Sequence, residues 1–193
     1  MLRIFFALRF EPPYGGVTEV KMITVHPIPP FFCNDSEILI LGSFPSVKSR
    51  ETGFFYGHAQ NRFWKVTASI FGCTVPHTID EKKEFLRQNK IALWDVIASC
   101  EISGSADSTI RNVIPNDLAV ILNNAPIKRI FVNGKTAWRY FKKYADCGYS
   151  DKAAVLPSTS PANASFSLGR LIGEWSVIRT GGDLVSAASQ GFK

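Results

Sequence analysis

A chain of 193 residues with 46% hydrophobic and 12% aromatic residues is long enough to bury one core and too apolar to be disordered or a coiled coil. Its formal charge of +6 favours a polyanionic partner such as nucleic acid. The apolar run Ile4 to Leu8 is too short to cross a membrane and lacks a cleavage site of small residues, so neither a membrane-spanning nor an exported protein is expected.

Residues 1–36 read as an N-terminal extension, rich in Pro and Gly between Glu11 and Cys33, and Met22 inside it is a candidate start of the natural protein. Ile38 to Leu41 has no polar alternation, the pattern of a strand covered on both faces, and Gly42 ends it. A long loop leads to a helix over 62–71, with Phe63, Trp64, Thr67, Ala68 and Phe71 at helical spacing and Gly72 as its stop. Thr78-Ile79-Asp80-Glu81 matches a capping box and opens a helix that ends near Asn89. Ile91 to Ile97 is a second buried strand, and residues 98–114 read as a polar loop. Pro115-Asn116-Asp117 starts a helix carrying Leu118, Ile121 and Leu122; Ile127 to Val132 is a third strand, and a helix follows Gly134. Ala154 to Leu156 is a short strand entering PSTSPANAS, Leu168 to Trp175 is a final helix, and residues 181–193 form a small polar tail expected to fray.

This alternation predicts an α/β fold, a three-layer α/β/α sandwich with a mainly parallel central sheet. In such sheets ligands bind past the carboxyl ends of the strands. Three of these ends carry unusual polar loops, after Leu41, Trp94 and Leu156, and their convergence defines one expected pocket. In the first loop Gly42, Ser43 and Ser46 allow close approach of backbone to ligand, while Phe54, Phe55 and Tyr56 offer flat surfaces for a base.

Two other chemistries are disfavoured. Gly134-Lys135-Thr136 looks like the end of a phosphate-binding loop, but the required earlier glycine is Arg129, so a plain helix start with exposed Lys135 is expected. No G-x-S-x-G elbow occurs, which removes a serine hydrolase. Cys33, Cys73, Cys100 and Cys147 form no C-x-x-C pair and have no histidine at zinc-finger spacing. No metal or cofactor is expected, and the four read as reduced thiols of a cytoplasmic protein, two of them buried.

Four ordered blocks carry a resemblance: GSFPS at 42–46, FFYGHAQNRFW at 54–64, ALWDVI at 92–97 with GSADSTI at 104–110, and LPSTSPANA at 156–164. Together they resemble the uracil-DNA glycosylase superfamily, most closely its deoxyinosine (hypoxanthine-DNA) branch. The resemblance implies a glycosylase domain over 37–180, DNA containing deaminated bases as partner, and a monomeric enzyme without cofactor. Ala59 departs from the proline of the GHPQNRFW form. Phe44 stands where uracil and mismatch enzymes carry Asp or Asn, and Leu156 where uracil-specific members have a histidine, which argues against an efficient uracil enzyme.

On this resemblance Asn61 takes the catalytic role, with Asp95 the fallback, against the plainer reading of Asn61 as a helix cap. Gly42, Ser43, Phe44, Tyr56, His58 and Asp95 are expected around the base: Tyr56 to stack on it, Asp95 to accept from its edge, and His58 to contact base or phosphate or to brace its own loop. Ser46, Ser158, Thr159, Ser160 and Asn163 are expected to meet the DNA backbone, unless Ser160 or Asn163 caps a helix. Lys48, Arg50, Arg62, Lys135 and Arg139 are candidates for additional charge. A uracil or mismatch glycosylase and a noncatalytic damaged-DNA binder remain as alternatives.

Overall fold

The computed structural model describes residues 23–144 and 148–180. Expectations for the leader and Met22, for Cys147 and for the tail after Thr180 fall outside those residues. In chain order the elements are β1 (Ile23–Val25), β2 (Ile38–Gly42), α1 (Val47–Thr52), α2 (Phe63–Phe71), α3 (Ile79–Gln88), β3 (Ile91–Asp95), β4 (Ile97–Glu101) and β5 (Arg111–Pro115). They continue with α4 (Ala119–Leu122), β6 (Arg129–Asn133), α5 (Lys135–Tyr144), β7 (Ala153–Leu156), α6 (Leu168–Trp175) and α7 (Val177–Thr180).

Four strands form a parallel sheet in the order β3-β2-β6-β7, flanked by helices. Every residue of β2 and β3 is buried, which explains why both read as unbroken apolar runs. The core passes from Leu39, Ile40, Leu93 and Phe131 in the sheet to Phe63, Phe141 and Trp175 in the helices, all fully buried. Trp175 also donates its indole N–H to the Pro157 carbonyl at 2.9 Å, so the last long helix is tied to the loop that follows β7.

Residues 98–114 are not one polar loop. Strands β4 and β5 pair antiparallel across much of this stretch, and β1 adds to β4, making a second, three-stranded sheet in the order β1-β4-β5. The chain passes from β3 to β4 across a single residue, Val96, whose N–H bonds the Gly42 carbonyl. Two register shifts between β4 and β5 and an exposed β5 leave no alternating pattern, which is why the hairpin is silent in the sequence. Residues 23–36 join both sheets: β1 pairs with β4, and Phe31 bridges Leu93.

Local signals act as read at α2, which ends on left-handed Gly72, and at α3, whose capping box is complete. The helix expected from Pro115 is shorter, since Pro115 closes β5 and α4 begins at Ala119. A further helix, α1, stands inside the first long loop with Ser46 as its cap. One described cysteine is buried, Cys100; Cys33 is half-buried and Cys73 exposed.

The Thr78 hydroxyl accepts from Glu81 N, and Glu81 accepts from Thr78 N in return. Thr78→Ala should therefore lower stability by about 1 kcal/mol in urea denaturation. An unchanged midpoint would remove the capping box from the account of α3.

Candidate active site at the carboxyl edge of the parallel sheet

Register places the strand ends side by side: Gly42 is the partner of Asp95, and Asn133 the partner of Leu156. The loops beyond them surround a cavity of about 830 Å³, within the range of small-ligand sites. The three expected loops converge here and a fourth joins them, the turn Asn133 to Thr136 at the start of α5. Lys135 is exposed at that helix start, as the plain reading of Gly-Lys-Thr has it. The turn has a packing role too: Gly134 has φ +98°, and a Cβ there would lie 2.9 Å from the Ser158 Cβ. Only glycine allows the last loop to press so closely.

In the first loop Ser43 donates to both carboxylate oxygens of Asp107 at 3.1 Å, fastening the loop to the 3₁₀ turn before β5. Asp107 belongs to the polar stretch Gly104 to Ser108, which reads in the sequence only as a further contact to the DNA backbone; its tie to Ser43 spans 64 residues, and no spacing marks it. Burial pushes its carboxyl above the usual range, with the Ser43 bonds opposing the shift. Phe44 is buried, with the Arg50 guanidinium 5.6 Å above its ring, and Arg50 also bonds the Pro45 carbonyl. Ser46 lines the cavity while capping α1.

Tyr56 adopts φ 52°, an uncommon conformation for an aromatic residue, and its ring stacks on Phe63 with centroids 3.9 Å apart. One ring face is therefore already covered. Burial, reinforced by Asp95, pushes the Tyr56 phenol well above the usual tyrosine range and keeps it neutral. Its hydroxyl is buried without a well-formed hydrogen bond; Asn133 lies nearby but commits both ends of its amide to Thr159. Asn61 lines the cavity, and its Oδ1 accepts from Phe63 N at 3.0 Å. The cap reading thus holds for one atom, and the same bond fixes the amide's orientation. His58 does not line the cavity; it is exposed, and its Nδ1 accepts from Gln60 N, bracing its own loop.

Asp95 ends β3 with a side chain 7% exposed. Its Oδ1 lies over Gly42, where an added Cβ would sit 2.1 Å away. Its Oδ2 meets His26 Nε2 at 2.8 Å. His26 follows β1 and no sequence motif marks it, because its partner is 69 residues away.

The loop Ser158 to Asn163 is braced from within. Thr159, expected on the DNA face, is fully buried and exchanges two bonds with the Asn133 amide. Asn163 donates to the Ser158 carbonyl, and Ser158 and Ser160 each accept from backbone N–H groups two residues on. Neither Ser160 nor Asn163 caps a helix; Ser167 caps α6. Arg62 donates to the carbonyls of Thr159, Ser160, Asn163 and Phe166, at 2.6 Å for Ser160. It is the structural brace of this loop and not a free surface charge. Arg139 lies over the Tyr140 ring and Lys48 pairs with Glu51.

A parallel sheet with a polar, aromatic-walled cavity at its carboxyl edge is the architecture that the four sequence blocks implied. The chain belongs to the uracil DNA glycosylase superfamily, whose family model matches residues 29–175. It is 37% identical over 146 residues to a protein of Methanosarcina acetivorans named hypoxanthine DNA glycosylase, covering 75% of this chain and 90% of that one. A Methanosarcina barkeri protein of the same name is 35% identical over 137 residues, covering 70% and 85%. The fold is similar to a solution NMR structure from Methanosarcina acetivorans, provisionally named a uracil DNA glycosylase, with TM-score 0.70 and 34% identity over 82% of this chain and 98% of that one.

Because the native fold holds the Asp107 proton more tightly than the unfolded chain does, stability falls as pH rises from the ordinary carboxylate range through the raised value. Asp107→Asn should melt at a higher temperature than the parent at neutral pH, with the advantage shrinking on acidification. Paired melts with a constant difference across that window would contradict this.

Proposed function

We propose that this protein is a monofunctional DNA glycosylase that extrudes deoxyinosine and hydrolyses its bond to the sugar, leaving free hypoxanthine and an abasic site. The observation that carries the reading is the composition of the cavity wall. Phe44 and Leu156, both buried, replace the polar groups expected of uracil enzymes, and the Asn61 amide and Asp95 carboxylate remain beside Tyr56. Relatives at 35–37% identity bearing the hypoxanthine name support it.

Cleavage of an N-glycosidic bond builds positive charge on the sugar and electron density on the departing base. Asn61 is the residue we assign to the water: Phe63 N holds Oδ1 in place, and the amide retains acceptor and donor capacity to orient a water without deprotonating it. Asp95 is the residue we assign to the base. A carboxylate only accepts hydrogen bonds, so it complements the N1–H of hypoxanthine and opposes adenine, whose N1 presents a lone pair. The free face of Tyr56 and the edge of Phe44 would hold the purine plane.

Ser158, Ser160 and Asn163 are proposed to meet phosphates through the loop that Arg62 braces, with Ser46 near the same strand. The lysine lining the cavity, Lys135, is exposed and lacks the desolvation that activates an amine nucleophile, which supports hydrolysis without strand cleavage. Unpaired Cys33, Cys73 and Cys100 suit a reducing, cytoplasmic setting, and no described helix is long and apolar enough to cross a membrane.

The test is single-turnover release of hypoxanthine from a deoxyinosine duplex. Asn61→Ala should slow release by about 10²-fold or more while changing lesion-DNA affinity far less. Equal losses in rate and affinity would transfer the water to Asp95, and failure of the parent protein to release hypoxanthine would overturn the reading.

A further inference from the structure

His26 is a buried titratable side chain that the proposed chemistry does not use, and it lies before the span matched by the family model. Its ring is 2% exposed. Phe44 meets it edge-on with centroids 5.8 Å apart, and Phe55 lies 6.4 Å away. One nitrogen, Nδ1, faces the backbone N–H of Ile28 at 3.2 Å, and the other, Nε2, faces Asp95 Oδ2 at 2.8 Å. A backbone N–H can only donate, so Nδ1 must present its lone pair. The ring proton therefore sits on Nε2, and the imidazole is neutral.

We propose that His26 is a positioning residue: its Nε2–H holds Asp95 in one rotamer, Oδ2 anchored and Oδ1 kept over Gly42 as a fixed acceptor for the extruded base. The inference rests on the assignment of Asp95 to base recognition. The geometry makes the arrangement one-sided. Oδ2 is occupied by the histidine, while Oδ1 lies against the bare Cα of Gly42, the residue that opens the first cavity loop. Tyr56 and Asp107 also face Asp95, and neither brings a positive charge. Asn116 bonds the Asp95 backbone carbonyl and leaves the side chain alone. The hydrogen bond that sets the carboxylate thus comes from a segment outside the parallel sheet, carried in by β1 on the second sheet. A neutral imidazole suits this task because it directs one N–H at the carboxylate while Ile28 N prevents the ring from flipping.

The expectation is measured first on the parent protein, by nitrogen-15 NMR of the His26 ring at neutral pH. One pyrrole-like Nε2 and one pyridine-like Nδ1 are expected; an Nδ1–H tautomer or an imidazolium would overturn the proposal whatever the enzyme releases. Rates then test its consequence. His26→Phe retains the aromatic packing without the N–H and should slow single-turnover hypoxanthine release at saturating enzyme by roughly 10-fold or more. His26→Gln, which returns an N–H near the Nε2 position, should recover most of that loss. In an Asp95→Asn background His26→Phe should cost little further, since the two act as one unit. Independent, multiplying losses, or equal rates for the Phe and Gln variants, would reduce His26 to ordinary core. Failure of the parent protein to release hypoxanthine would instead defeat the functional reading, leaving the ring-nitrogen spectrum to decide the tautomer.

Discussion

Asp95 can lie across the end of its strand only because position 42 has no side chain. The parallel register sets Gly42 beside Asp95, and a methyl group there would approach Oδ1 to 2.1 Å, far inside contact distance. Several features depend on that vacancy in the sequence. The carboxylate is kept at the sheet edge, its other oxygen reaches His26, and the histidine ties the segment after β1 to the pocket. The Gly42 carbonyl then accepts from Val96 N, steering the chain out of β3 and into the second sheet. One missing Cβ therefore couples the two sheets and the cavity.

A second pivot is the pair Asn61 and Arg62 at the start of α2. These neighbours face different tasks: the Asn61 amide lines the cavity, and the Arg62 guanidinium grips four carbonyls of the loop after β7. Rigidity in the loop comes from these bonds, together with the buried Thr159 and Asn133. On the proposed reading, the group that orients water and the loop that meets phosphates are fixed by one helix start, so the distance between them is set by covalent geometry and a planar ion.

The parallel sheet was legible because β2 and β3 are buried on both faces and write long apolar runs; Ile38 to Leu41 and Ile91 to Ile97 needed no partner to be recognised, although β3 stops at Asp95 and Ile97 already opens β4. Helices α2 and α3 were legible because their signals are local, a left-handed glycine and a reciprocal cap. The second sheet was not. β1 has three residues, and β5 is largely exposed and paired with irregular register, so neither carries a period. The same division runs through the site. Loops following buried strands announced Gly42, Asn61 and Asp95, whereas His26, Asp107 and Asn133 enter through contacts between distant segments that no spacing encodes. Arg62 was visible as a charge, but its role appears only once the loop carbonyls gather around it, and Thr159 shows that a polar motif residue can be buried to brace its loop.

The most direct measurement is a crystal structure of the Asn61→Ala variant bound to a duplex containing deoxyinosine, in which slowed chemistry preserves the substrate. The account predicts hypoxanthine extruded into the cavity, its N1 within hydrogen-bond distance of Asp95 Oδ1, its plane against Tyr56, and C1′ facing position 61. A base that stays stacked in the duplex, or that enters the cavity with N1 turned away from Asp95, would contradict it.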